Sequence, residues 1–189
     1  MNDPRVIVLE RSALDHGVFA EEELSVADGF KLQKRRDEWL LSRCAAKILT
    51  VRLGLAFDPR NVRIERPRIV VDGVELPLFV SLSHSAPFAA AAIDERPIGL
   101  DIQVVRPVDE RAARLFLTPE EREVMERCTL PDRVLHFWAA KEAAWKQRSD
   151  EFPTLKALRL ELSQEVEDGL QFDRVDTWRQ GELIVAVTN

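Results

Sequence analysis

Tyrosine is absent from this 189-residue chain, cysteine occurs twice and glycine seven times. The missing tyrosine has no structural reading. The two cysteines, Cys44 and Cys128, are distant from one another and each sits in a helical pattern, so they form neither a metal motif nor a disulfide framework. They read as reduced, buried thiols of a cytoplasmic protein. None of the glycines builds a glycine-rich turn after a strand, which removes the common nucleotide-binding loops. No apolar run approaches the roughly 20 residues of a membrane span. The opening "MNDPRVIVLERS" carries Asp3, Arg5, Glu10 and Arg11 and has no signal-peptide core. Positive charge is not in excess: 27 Lys and Arg stand against 33 Asp and Glu, a net charge of -6. That balance argues against a dedicated nucleic-acid binder. Neither a membrane nor a nucleic acid is expected as a partner.

What is present describes an ordinary globular chain, 46% hydrophobic and 32% charged, long enough for one domain or two small ones. "VIVLE" (Val6 to Glu10) reads as a strand, and Glu21 to Val51 as helical, with Leu41, Ala45, Ile48 and Leu49 on one face. "VRIERPRIVVDG" and "VELPLFVSLS" read as strands broken at Asp72-Gly73, followed by short strands at "FAAAAI" and "PIGLDIQVV". A helix is expected through "DERAARLF". Thr118, Pro119 and Glu121 then mark a capping box. "RVLHFWAAKEAAWKQR", Arg133 to Arg148, is the strongest helix, and "LRLELS", "LQFDRVDTW" and "ELIVAVTN" return to strands. Strand, helix, strands recur in each half, with the division near Ile98 to Pro107. This is an α+β order rather than a parallel doubly wound sheet. No repeat shows in residue identity.

Two features carry chemistry. Asp101 sits within the apolar strand pattern "PIGLDIQVV", where an unpaired carboxylate is costly and demands a positive partner. The helix "FWAAKEAAWK" is apolar nearly all round yet carries Lys141, Glu142 and Lys146. Glu142 and Lys146 share a face, a spacing that on its own describes a common surface pair. In a buried helix these charges also need partners, and a divalent cation would satisfy both Asp101 and Glu142. Mg²⁺ takes one or two carboxylates and completes its shell with water and phosphate oxygens; Mn²⁺ suits the same oxygens.

"VSLSHS" (Val80 to Ser85), "IGLDIQ" (Ile98 to Gln103) and "FWAAKEAAWK" (Phe137 to Lys146) resemble, in order and spacing, three signatures of the 4′-phosphopantetheinyl transferases, particularly the surfactin-synthetase-activating class. Those signatures are a serine-histidine-serine segment, a (V/I)-G-(V/I)-D strand and a W-x-x-K-E-x-x-x-K helix. "KLQKRRDEWLLSRCAAKIL" resembles the basic helix that presents cations to coenzyme A, with Arg36, Arg43 and Lys47 at i, i+7 and i+11. A solvated helix face would give the same stripe.

The resemblance implies two similar α+β halves, residues 1–100 and 101–189, related by a pseudo-twofold duplication with the active site in the cleft between them. It implies a monomeric holo-carrier-protein synthase that moves phosphopantetheine from coenzyme A to a serine of an acyl or peptidyl carrier protein, releasing 3′,5′-ADP. Asp101 and Glu142 would hold Mg²⁺, with Gln103 as a further, neutral oxygen ligand. Lys146 would contact the phosphates and stabilise the leaving group. His84 would contact coenzyme A phosphate, Ser83 would lie near the adenosine, and Glu142 would accept the serine proton. Lys141 would be structural or steer phosphate.

Two departures stand out. Many members of the class have D-x-E where this chain has Asp101-Ile102-Gln103, so two carboxylates rather than three would hold the metal. The G-K-P lysine is missing, and Glu75 of "DGVELP" stands near its place. Glu120 of the F-x-x-x-E segment is already explained by the helix start. The competing readings are a metal-dependent nucleotide phosphohydrolase using the same carboxylate pair, and a non-catalytic relative that binds coenzyme A or carrier proteins. His16 reads as solvated, His136 as packed, and Trp39, Trp138 and Trp145 as core.

Overall fold

The computed structural model describes residues 3–189. Chain contacts divide it into an N-terminal unit, ending at Ile98, and a C-terminal unit, Gly99–Asn189. The N-terminal unit runs β1 (Val6–Glu10), α1 (Glu21–Asp28), α2 (Gln33–Arg52), β2 (Val62–Glu65), β3 (Arg68–Val71), β4 (Val74–Ser85) and β5 (Phe88–Asp94). The C-terminal unit runs β6 (Leu100–Val104), α3 (Pro119–Arg127), α4 (Arg133–Arg148), β7 (Leu162–Val166), β8 (Gly169–Phe172), β9 (Val175–Gln180) and β10 (Leu183–Thr188). The sheets have the orders β1-β5-β4-β3-β2 and β6-β10-β9-β8-β7, antiparallel throughout. Each unit is therefore one strand, two helices and a four-strand meander whose last strand pairs with the first. The fold is α+β in two similar halves.

In each unit the long helix covers the sheet. Ala89 to Ala92 of β5 are completely buried, and small side chains there let α2 lie close, with Ala45 and Leu49 packed among Val80, Leu82 and Ala91. In the C-terminal unit Phe137, Ala139, Ala140 and Ala143 of α4 pack with Ile184 and Ala186 of β10. Phe137 meets Phe172 edge-on at 5.1 Å.

The two units also share a device. Ala45-Ala46-Lys47 in α2 and Ala139-Ala140-Lys141 in α4 end in lysines that are wholly buried. Lys47 Nζ lies 2.6 Å from a carboxylate oxygen of Glu23, and Lys141 Nζ 2.6 Å from one of Glu121. Each glutamate also accepts the backbone N–H that opens its own short helix, from Ala20 and Thr118 respectively. Lys47 further donates to the carbonyls of Pro59 and Val62, and Lys141 to those of Leu155 and Leu158. Three donors thus meet three acceptors, so the buried ammonium is fully satisfied. The short Ala-Ala-Lys repeat gains its meaning from these clamps, which mark equivalent positions in the two units.

Three expected elements differ. The helix over 21–51 is two helices, because α1 stops at Gly29 and the chain turns so that Phe30 meets Trp39 at 6.0 Å. "DERAARLF" forms only a 3₁₀ stretch, Glu110–Leu115, started by the Asp109 side chain. "LRLELS" becomes strand only from Leu162, because the Leu158 carbonyl serves Lys141 rather than a neighbouring strand.

His136 is packed, as its neighbours suggested: it is 2% exposed, with Nδ1 2.8 Å from Thr177 Oγ1. Burial chiefly, and then the Arg179 charge, push its pKa down from 6.5 to about 4. The unfolded chain takes up a proton below its ordinary value while the folded one does not. Stability attributable to this group is therefore complete above pH 6.5 and is lost as pH falls towards 4. Urea melts across that window should show a loss on the order of 3 kcal/mol from this site, and His136→Asn should flatten the slope.

Candidate active site

The candidate site of the C-terminal unit begins with Gly99. A Cβ there would lie 1.8 Å from the Ala143 carbonyl oxygen and 3.1 Å from the Gln147 nitrogen. Only glycine lets α4 cross the start of β6 so closely. The glycine is fixed from the other side by Thr188, whose Oγ1 accepts its N–H at 2.9 Å and whose own N–H reaches its carbonyl at 3.0 Å. This crossing brings Lys146 and Glu142, one helical turn apart, to Asp101. The glycine of the I-G-L-D motif is thus the residue that permits this close approach.

Asp101, opposite Ala186 of β10 and 4% exposed, has its positive partner within the chain. Lys146 Nζ donates to Asp101 Oδ1 at 2.8 Å and to the Leu100 carbonyl at 2.9 Å. Gln103, two residues along the same strand face, donates from Nε2 to Asp101 Oδ2 at 2.6 Å. Glu142 is half-buried. Its pKa is raised, first by burial and then by the Asp101 charge, with Lys146 opposing. Glu142 thus feels both the Asp101 carboxylate and the Lys146 ammonium. The oxygens of the two carboxylates suit a hard divalent cation, which accepts as few as one or two protein carboxylates when phosphate completes its shell. No group of three or more His, Cys, Asp or Glu side chains arranged for a metal occurs among the described residues.

The remaining candidates lie in the N-terminal unit. Ser83 is buried on β4, while the adjacent His84 is open to solvent, its Nε2 3.8 Å from Glu38 Oε2. Arg36 is held by Asp28, Nη2 to Oδ1 at 2.9 Å. The Arg43 guanidinium lies 4.0 Å above the Trp39 ring, its pKa lowered to about 10 by burial first and by the Arg66 charge second. Lys47 corrects the expected stripe: enclosed by Glu23 and two carbonyls, it offers nothing to a ligand. Lys141, bound to Glu121 and wholly buried, is likewise structural and does not steer phosphate. No helix among the described residues is long and apolar enough to cross a membrane.

Comparison with known proteins finds a match that contains this crossing. Residues 97–187 match the model of the 4′-phosphopantetheinyl transferase superfamily. The stretch holds Gly99, Asp101, Gln103, Glu142 and Lys146, and over it the chain is similar to that superfamily. Among its relatives, the 4′-phosphopantetheinyl transferase psf-1 of Bacillus pumilus is 30% identical over 73 residues, 36% of this chain. The 4′-phosphopantetheinyl transferase Sfp of Bacillus subtilis (strain 168) is 33% identical over 70 residues, 35% of this chain. In both cases the match spans 31% of the relative's own length.

Two substitutions check the local architecture. Gly99→Ala should destabilise the protein by about 1–3 kcal/mol or more, through the clash with the α4 backbone. Lys47→Met should cost about 3–5 kcal/mol in chemical denaturation, because Glu23 is left charged without its partner. A solvent-facing coenzyme-binding lysine would instead leave the melting curve unchanged.

Proposed function

We propose that this protein transfers the phosphopantetheine group of coenzyme A to a serine hydroxyl of an acyl or peptidyl carrier protein and releases 3′,5′-ADP. The observation that carries the reading is the meeting of Asp101, Glu142 and Lys146 at the α4–β6 crossing, inside the segment that matches the superfamily. Asp101 and Glu142 would hold Mg²⁺, or Mn²⁺ in its place. When bound there, the ion neutralises diphosphate oxygens and polarises the phosphorus under attack.

The chain's own groups do the rest. Lys146, on a flexible stem, can carry its charge to the bridging and leaving-group oxygens as negative charge builds there. Glu142, with its basicity raised by burial and by Asp101, suits acceptance of the serine proton. Gln103 holds Asp101 in its rotamer through the 2.6 Å hydrogen bond and could turn its amide oxygen toward a cation. In-line positioning and charge neutralisation are what phosphoryl transfer chiefly requires. His84, Ser83, Arg36 and Arg43 belong to the proposal as coenzyme A contacts, and the N-terminal half (1–100) as the coenzyme-binding half. Location in the cytoplasm and action as a monomer belong to it too.

The test is direct: incubate the protein with coenzyme A, Mg²⁺ and an apo-carrier protein, then measure the carrier's mass. A gain equal to phosphopantetheine is expected. Asp101→Ala and Glu142→Ala should slow transfer by about 10²–10⁴-fold, and Gln103→Ala by about tenfold. Consumption of coenzyme A with an unmodified carrier would instead indicate a phosphohydrolase. An inert mixture would indicate a binding relative without catalysis.

A further inference from the structure

Both oxygens of the Asp101 carboxylate are engaged by side chains of the same unit, Oδ1 by the Lys146 ammonium at 2.8 Å and Oδ2 by the Gln103 amide at 2.6 Å. With Asp101 only 4% exposed, a cation that reaches either oxygen must crowd against one of these donors or displace it. We infer that Lys146 is the resident counter-ion of the site, exchanged for the divalent cation only when a diphosphate gives the ammonium another anion to bind. The inference rests on the reading of Asp101 and Glu142 as the cation-holding pair, and it adds a rule for how that pair is filled.

A cation arriving alone faces two obstacles. It would share Asp101 with an ammonium at hydrogen-bonding distance, where like charges repel strongly in a poorly solvated setting. Driving Lys146 away would cost its bonds to Asp101 and to the Leu100 carbonyl at 2.9 Å, with nothing equally negative to replace them. The Gln103 amide also presents its donor end to Asp101 and must turn. A diphosphate removes the main obstacle. It offers Lys146 oxygens of higher charge than the one it leaves, and it supplies the cation with the ligands that two carboxylates do not provide. The Lys146 side chain is about a quarter exposed, so it has an open side toward which to move. Glu142, a turn earlier on the same rigid helix, need not move. Cation and diphosphate therefore help one another to bind, and by linkage each raises the other's affinity by the same factor.

Mn²⁺ titrations followed by electron paramagnetic resonance, with and without coenzyme A and without any carrier protein, test this apart from turnover. Wild-type protein should bind Mn²⁺ weakly alone and about 10–100-fold more tightly with coenzyme A. Lys146→Met should bind Mn²⁺ alone about tenfold more tightly than wild type, with little further gain from coenzyme A. Lys146→Gln provides the same comparison if the methionine variant folds poorly, and Lys146→Arg should retain the coupling. Equal wild-type affinities with and without the coenzyme would overturn the exchange. So would coupling that survives undiminished in both neutral variants. If wild type binds no Mn²⁺ even with coenzyme A, the cation-site reading falls first and the exchange falls with it.

Discussion

The ion pair between Lys146 and Asp101 is the constraint on which the candidate site depends. A carboxylate in the middle of an apolar strand is tolerable only if charge is brought to it. Here the charge comes from a helix that can reach the strand because residue 99 has no side chain to hold it off. Burial of Asp101 and the raised pKa of Glu142 both follow from this crossing. Stability and chemistry are coupled in the same few atoms. The lysine neutralises the strand's carboxylate in the free protein, and the proposed reaction needs the lysine to let go.

The buried lysine clamps show how one architecture was put to two uses. In both units a lysine after two alanines ties the helix pair to the following loop through a helix-opening glutamate and two carbonyls. Aligned on that lysine, the N-terminal helix continues Ile48 through Arg52, whereas the C-terminal helix continues Glu142 through Lys146. The next position is apolar in one unit and a carboxylate in the other; the position five beyond the clamp is basic in both. The clamp is thus a property of the fold, while the carboxylate beside it equips only the C-terminal helix for cation chemistry.

Much of this was legible in the residues. Asp101 in its apolar strand announced a need for a cation, and the charges of an apolar helix announced partners. A partner nearer than a divalent ion is also present: Lys146 satisfies Asp101 directly. Helical spacing placed Lys47 among solvent-facing cations, because its partner Glu23 lies on another helix and pattern reading sees only one helix at a time. The break between α1 and α2 escaped for a related reason. A lone glycine inside a helical pattern is ambiguous, and what settles it is the tertiary contact of Phe30 with Trp39. Gly99 looked like an ordinary strand residue until the Ala143 carbonyl above it was seen.

The central claim is that Asp101 and Glu142 grip one cation together with a diphosphate. Anomalous diffraction from crystals grown with Mn²⁺ and coenzyme A addresses it most directly. The account predicts one peak at bonding distance, about 2.0–2.2 Å, from a carboxylate oxygen of each residue, with Lys146 turned to the phosphates. A cation held by only one of the two carboxylates, or a diphosphate bound while Lys146 still rests on Asp101, would contradict it.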